Sequence, residues 1–562
     1  FLRLRKAVLV LTWQNTGDPC TPETLTFVDH LMPTRIGYTT AFGPNISAIY
    51  TSNPTITVAA DTGYSPRGLC YLDSTGAQQF IFSLSKKLFR HPGNADISRG
   101  VAYTNGYFSF AQYREYIYAC NGADLLQKSS TGAFADVAST PKLTRICAWG
   151  ERLFGINNVA SFTSGGTPYA ASNYRYWISG IGNPEQFDAA IDSTAYTDDI
   201  KDDGGPLVAC AVLRDFVVVL KRSGVYVIED TGGPIFAERK VSDYYGCEWP
   251  DSVIVVNNIM YWISPTRSGE VVAFDGTQIT PVSNSLASTI IDRSSYYLNS
   301  QFINPAGSSV EIEGGITAAT DGENIVWSRT TAAVGGIPNG VTTQQLYMNI
   351  PTGRFGYSSQ YAKSNANTPY LPFGVYSNAS QNAILTVAST QIATGANKFV
   401  ASQMQPAYLT GAGTAELYRG AAQQNAINNF TVRFSEYVYR NDVDNYSAVK
   451  IKTALAAFPT AFSPNGLEAL NPITPTLQWS SSQRSGDSLY KPESTSVTIP
   501  TGVWNSTTYS FNIPSGTARS RSASVFAFVI SGLQPINSFT GVAIDYVPSG
   551  TKQAGAKAGT WQ

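Results

Sequence analysis

Between about residues 41 and 405 the chain repeats one pattern: an apolar run of four to seven residues, a polar break, then another run. The clearest unit holds Leu207–Leu213, Asp215–Leu220, Val225–Glu229 and Ile235–Val241, with Ser223-Gly224 at a turn. The next holds Ser252–Val256, Ile259–Ser264, Gly269–Phe274 and Gln278–Val282, with turns at Asn257-Asn258 and Asp275-Gly276. Runs so short, rich in Val, Ile, Tyr and Phe and bounded by turn residues, predict strands rather than helices. A meander of four such strands is too thin to bury both faces alone, so it must stack on copies of itself. Recurrence at 40–60 residues therefore predicts an all-β fold, a β-propeller of about six or seven four-stranded blades around a channel. Earlier units carry Gly68–Leu72, Gln79–Phe82, Glu115–Cys120, Ile146–Trp149 and Tyr174–Ser179, and later ones begin at Asn324 and Ala383. There is no series of Trp-Asp dipeptides, and Asp73-Ser74-Thr75-Gly76 approximates an Asp-box turn without its Trp. A pair of β-sandwiches with long loops is the competing architecture.

The flanks read differently. Residues 1–40 read as an extended N-terminal segment closed by Pro33-Thr34-Arg35-Ile36-Gly37-Tyr38. Arg3, Arg5 and Lys6 before Ala7–Leu11 mimic a signal peptide. Trp13-Gln14-Asn15 follows without a small-residue cleavage site, so a first strand is expected there. Residues 41–405 form the propeller, and 406–430, rich in Ala, Gln and Asn, read as a linker. Residues 431–562 read as a β-sandwich-like domain with a flexible tail, its strands including Thr431–Tyr439, Thr476–Trp479, Ser524–Ile530 and Gly541–Val547. No run approaches the roughly 18 apolar residues of a membrane-spanning helix.

Charge and chemistry narrow the function. Lys and Arg number 38 against 39 Asp and Glu, a net charge of −1, which argues against a generally basic nucleic-acid binder. His30 and His91 are the only histidines, too few for most His-based triads or metal sites. Cys20, Cys70, Cys120, Cys147, Cys210 and Cys247 contain no CxxC pair and read as free, mostly buried thiols. Asp198, Asp199, Asp202 and Asp203 precede Gly204-Gly205, but Ile200-Lys201 interrupts them and no closing Glu follows in register. They read as a solvated acidic loop rather than a calcium loop. Lys86, Lys87 and Arg90, and Arg433, Arg440, Arg519 and Arg521, read as surface charge. Sequons at Asn45, Asn378, Asn429, Asn445 and Asn505 are expected by chance in so polar a chain. No GxSxG, Walker, HExxH or dinucleotide-binding fingerprint occurs. No catalytic, cofactor-binding or metal-ligating residue is assigned, and no cofactor is expected.

One succession of motifs is familiar. Tyr113–Gly122 leads to Ser130–Phe134, and Glu151-Arg152-Leu153-Phe154 to Tyr174–Ser179. Gly182-Asn183-Pro184-Glu185-Gln186-Phe187-Asp188 then marks a strand exit, with Gly246–Val253 and Phe274-Asp275-Gly276 further on. This succession resembles the propeller-bearing nozzle, or tail tubular B, proteins of short-tailed bacteriophages, best over residues 35–290. The resemblance implies a structural virion protein of the phage tail and not an enzyme. It implies a homohexameric ring that extends the portal–adaptor channel, retains the genome and conducts double-stranded DNA during ejection. Its expected partners are further copies, a tail adaptor, and fibre or tip proteins. The longer inserts, near 158–172, 188–206 and 330–342, are the expected contacts between copies. Two alternatives remain at this stage. One is a glycan-binding propeller used in receptor recognition. The other is a glycan-cleaving enzyme, which needs two or three inward carboxylates around the axis.

Overall fold

The computed structural model describes residues 67–283 apart from 85, 234 and 266–269, together with 316–332, 341–362, 371–391 and 397–406. It also describes short strands before residue 67, at 300–312 and after 428. The described residues contain no α-helix. One 3-10 turn, Pro250–Ser252, is the sole helical element among them.

Seven antiparallel sheets succeed one another along the chain. Blade one holds Gly68–Leu72, Gln78–Leu84, Lys87–His91 and Ala95–Asp96. Blade two holds Ser109–Tyr113, Tyr116–Cys120, Gln127–Ser129 and Ala135–Asp136. Blade three holds Arg145–Trp149, Arg152–Asn158, Ser172–Ile178 and Tyr196–Asp199. Blade four holds Leu207–Leu213, Phe216–Lys221, Gly224–Asp230 and Phe236–Ser242. Blade five holds Ile254–Val256, Ile259–Ser264, Glu270–Phe274 and Ile279–Pro281. Blade six holds Ile316–Thr320, Asn324–Ala332, Val341–Asn349 and Arg354–Ala362. Blade seven takes three strands from its own stretch, Leu371–Ser377, Ile384–Gln391 and Asn397–Pro406. Two more come from far upstream: Phe42–Pro44 lies beside Asn397–Pro406, and Ile56–Val58 pairs antiparallel with Asn397–Phe399. The expected propeller is present, with seven blades.

Alternation along the strands explains the stacking. In blade four, Val217 and Val219 face a core shared with blade three, including Phe154, Tyr176 and Ile178. Val218 and Leu220, one residue out of phase, face a second core shared with blade five, including Met260 and Trp262. Blade one does the same. Phe80, Phe82 and Leu84 pack on Tyr376 and Val387 of blade seven, whereas Ile81 packs on Phe108 and Ile117 of blade two. A strand buried on both faces reads as an unbroken apolar run, and Phe216-Val217-Val218-Val219-Leu220 is such a run. First strands of consecutive blades touch, and Leu371–Ser377 touches Gly68–Leu72, which closes the circle.

Cα proximity divides the chain into two units, 43–346 with 360–405, and 1–42 with 347–359 and 406–562. In the second unit Arg5–Val10 pairs antiparallel with Gly541–Tyr546, Arg5 opposite Tyr546 and Val10 opposite Gly541. The sheet order is Arg5–Val10, Gly541–Pro548, Val449–Ala457, Tyr509–Asn512. Leu25–Asp29 is likewise the edge of a sheet that continues through Asn429–Phe434, Val525–Leu533, Thr476–Ser482 and Glu493–Ser496. The strand expected near the N-terminus is formed, and both early strands share sheets with strands after residue 428.

Candidate functional site: the propeller axis and the third-blade exit

The strand exit from which the family resemblance was drawn is built as a clamp. Glu185 accepts the Tyr118 hydroxyl of blade two at 3.0 Å and an ammonium hydrogen bond from Lys128. Phe187 is buried in a core with Tyr118, Leu126 and Trp177. Asp188, 1 % exposed, accepts the Tyr169 hydroxyl at 2.9 Å and a bond from Ala190 N. Burial first, and this hydrogen bond second, push the Tyr169 phenol up to about 12. Gly182 N donates to Glu151 O at 2.8 Å, a bond made at a positive φ of 67° that glycine adopts freely. Arg152, buried, donates to the carbonyls of Ser179 at 2.9 Å and of Thr194. The motif is thus a mechanical joint between blades two and three.

The insert at 158–172 contains a small hairpin, Phe162–Ser164 with Thr167–Tyr169. Its Phe162 and Tyr169 rings stack 5.2 Å apart and both lie against Trp177. Residues 333–340 of the third insert lie outside the described residues.

The four aspartates are not brought together around a cation. Asp199 forms a forked pair with Arg175, at 2.8 and 3.0 Å, and a pair with Lys201. Asp198 accepts the Tyr196 hydroxyl, and Asp203 is exposed. Asp202 meets Lys221, Lys240 and the Tyr226 hydroxyl. Burial would raise its carboxyl, but those three donors outweigh burial and hold it well below the usual carboxylate range. Lys221 is completely buried and also donates to Ile200 O at 3.0 Å. Among the described residues no group of three or more Cys, His, Asp and Glu is placed to hold a metal ion.

The basic patch is also consumed internally. Lys87 pairs with Asp96 at 2.8 Å, and Arg90 donates to Thr131 O and to Ser129 Oγ. Lys86 is exposed. His91 Nδ1 lies 3.2 Å from Asn94 Oδ1, and burial lowers its pKa. Cys70, Cys120, Cys147, Cys210 and Cys247 are free, and burial raises the thiol pKa of Cys70 and Cys120 and takes that of Cys247 to about 12. His30, Cys20, Arg440, Arg519 and Arg521 lie outside the described residues, as do the sequons at Asn45, Asn445 and Asn505.

The axis itself holds a constellation that sequence reasoning missed. A chamber of about 220 Å³ takes its walls from six blades, through residues such as Gly68, Ser109, Arg145, Ala209, Thr317 and Val375, and from Pro250 and Val253 just before blade five. Arg67, which precedes blade one, places Nε 2.7 Å from Asp251 Oδ2. Arg145, the first residue of blade three, places Nη2 3.3 Å from the same oxygen. Arg145 also borders a neighbouring cleft of about 550 Å³ lined by Asn105, Tyr107, Asn157, Arg222, Glu248 and Trp249. Glu248 there is paired with Arg222. Of the inward carboxylates that a glycan-cleaving propeller needs, the described linings of these two cavities supply Asp251 and Glu248, each already ion-paired. Nothing in the local sequence around Arg67, Arg145 or Asp251 marks them out, because they meet only when the blades close into a circle.

No family model and no curated protein matches the chain. Solved structures that resemble it are propellers or contain them. A computationally designed protein, Ika8, shares 10% identity over 70% of this chain and 99% of its own, with a TM-score of 0.30. The N-terminal domain of Nup159 shares 8% over 66% of this chain and 98% of its own, with a TM-score of 0.32. Trypanosoma rangeli sialidase, solved with sialic acid, shares 9% over 88% of this chain and 96% of its own, with a TM-score of 0.25. Likeness at this level carries no argument about activity.

Proposed function

We propose that the chain is a structural virion protein of a short bacteriophage tail. In this reading several copies form a ring that prolongs the portal–adaptor channel, retains the genome and conducts DNA during ejection. Its partners are other copies of itself, a tail adaptor and fibre or tip proteins.

The observation that carries the reading is the third-blade exit. The residues that resemble the nozzle family, Arg152 and Gly182 through Asp188, are spent on tying one blade to the next rather than on presenting reactive groups. A wall that must bear the load of packed DNA needs such ties. The first strands of consecutive blades touch one another around the axis, so in this reading the lumen lies between copies, with each propeller forming part of its wall. Near-zero net charge suits a conduit that must not grip phosphates, since each contact adds salt-dependent affinity.

Mass photometry of the full chain, alone and with the adaptor, followed by negative-stain imaging, tests this. A particle near six times 60.5 kDa with a central hole is the expected result. A monomer under every condition, adaptor included, overturns the reading.

A further inference from the structure

We propose that Cys147 and Cys210 form a modification site, where hydrogen peroxide joins them in a disulfide that staples the innermost strands of blades three and four. The inference rests on the propeller and not on the ring.

Side-chain direction comes first. Arg145–Trp149 opens blade three and Leu207–Leu213 opens blade four. The two strands touch but belong to different sheets, so no ladder of backbone hydrogen bonds joins them. Successive side chains of a strand point to opposite faces. Ile146 and Ala148 face the core shared with blade two, so Cys147 and Trp149, one residue out of phase, face blade four. Ala209 and Ala211 face the core shared with blade five, so Cys210 and Val212 face blade three. Cys147 and Cys210 thus enter one layer from opposite sides, and their thiols are hydrogen-bonded to each other. Cys120 packs in a different core, with Tyr118 and Leu126, and its thiol is hydrogen-bonded with Ser109.

Access sets the order of events. Cys210 is half-buried and is one of the residues that line the axial chamber; Cys147 is not among the described lining residues. The chamber, about 220 Å³, has room for a peroxide, a molecule only slightly larger than water at roughly 30 Å³. Cys210 gives up its proton, and its thiolate attacks one peroxide oxygen. The S–O bond forms, the O–O bond breaks, and hydroxide leaves to take up the proton. Cys147 then loses its proton and attacks the sulfenic sulfur of Cys210. The S–S bond forms, the S–O bond breaks, and the departing hydroxide takes the second proton. Two thiols and one peroxide become one disulfide and two waters. A thiol reacts through its thiolate, and the hydrogen bond with Cys210 first, and burial second, raise the Cys147 thiol well above its ordinary range. The second step is therefore slow at neutral pH and quickens as pH rises.

The test treats the native full chain with hydrogen peroxide, then unfolds it in guanidinium with N-ethylmaleimide to block the remaining thiols. A tryptic digest is mapped by mass. Residues 146–152 joined to residues 202–214 are the expected product, released by dithiothreitol. A link from 202–214 to 115–128, the peptide that carries Cys120, overturns the pairing. Over-oxidised Cys210 without a cross-link overturns it too, as does no reaction at about pH 8.5, the ordinary thiol pKa. Thermal unfolding reads the staple itself. Closing a loop of roughly 60 residues is expected to raise Tm by roughly 3–8 °C, reversibly with dithiothreitol. An unchanged or lower Tm after full cross-linking overturns the staple. In Cys147→Ser, Cys210 has no resolving thiol and is expected to run on to the sulfinic acid, seen as two oxygens added to peptide 202–214. An unmodified Cys210 in that variant overturns the assigned order.

Discussion

Glu185 of the third-blade exit accepts the hydroxyl of Tyr118, on the second strand of blade two, at 3.0 Å. The pair spans 67 positions of sequence and fixes two sheets that share no backbone hydrogen bonds. Burial first, and the neighbouring carboxylate second, raise the Tyr118 phenol above its ordinary range, so the hydroxyl stays protonated and remains the donor. Removing it by Tyr118→Phe is expected to cost about 1.5–3 kcal/mol, the usual range for a hydrogen bond to a charged group. A double-mutant cycle with Glu185→Gln, read by denaturant unfolding, should show coupling. Strict additivity would mean that the joint bears no load.

Asp202 gives a pH prediction. Its folded carboxyl lies below the ordinary range, held there against burial by Lys221, Tyr226 and Lys240. A lowered folded pKa stabilises the fold above the unfolded value of about 3.9, and the contribution fades as pH falls through the folded value. Asp202→Asn leaves fully buried Lys221 without its carboxylate and should cost about 3–5 kcal/mol at pH 7. The gap between wild type and variant should narrow progressively below about pH 4. Unfolding curves at pH 7, 4 and 2.5 check this, and a gap independent of pH refutes it.

Gly246 is required for space rather than for its backbone angle. A Cβ there would lie 1.9 Å from the carbonyl oxygen of Arg222, a backbone atom that has no rotamer to escape into. Cys247 N donates to Lys221 O at 2.8 Å and Trp262 Nε1 to Gly246 O at 2.9 Å, so the segment is pinned on both sides. Gly246→Ala should cost at least about 3 kcal/mol, seen as a fall in Tm or a loss of soluble protein. Gly132→Ala, in open space, is the matched control.

Blade six is latched to the entry of blade five by Trp327, whose indole donates to Ser252 O at 3.0 Å from a fully buried position. Trp327→Phe keeps most of the apolar volume but removes the donor. The expected cost is about 1–3 kcal/mol, the penalty for a buried group left unsatisfied. Thermal unfolding would register it.

The propeller was legible because its signal is local. Phe216–Leu220 and Val225–Glu229 declare strands within a dozen residues, and Asp275-Gly276 declares the turn. There Asp275 caps the backbone of Thr277 and Gln278, and Gly276 takes φ 99°. The acidic run at 198–203 reads as solvated until Arg175, Lys221 and Lys240 are seen folded onto it. Those partners lie in other strands, and strand neighbours cannot be read from spacing. The axial arginines were invisible for the same reason. Arg67 and Asp251 are ordinary loop residues in the chain and become neighbours only through a seven-fold closure. The pairing of Arg5–Val10 with Gly541–Tyr546 spans nearly the whole sequence, a separation at which no local pattern carries information.

The strand Ile56–Val58 joins blade seven by pairing with Asn397–Phe399. That arrangement sets a clock on biosynthesis. Ribosomes add about 5–20 residues per second. Roughly 20–70 s must therefore pass between the emergence of the upstream strand and that of its partner. Throughout that interval the nascent chain carries unpaired sheet edges, the surfaces on which strands from different chains join. Premature termination anywhere before residue 397 removes the strand Asn397–Pro406 and leaves Ile56–Val58 without its partner, so the propeller can close only once that strand has been made.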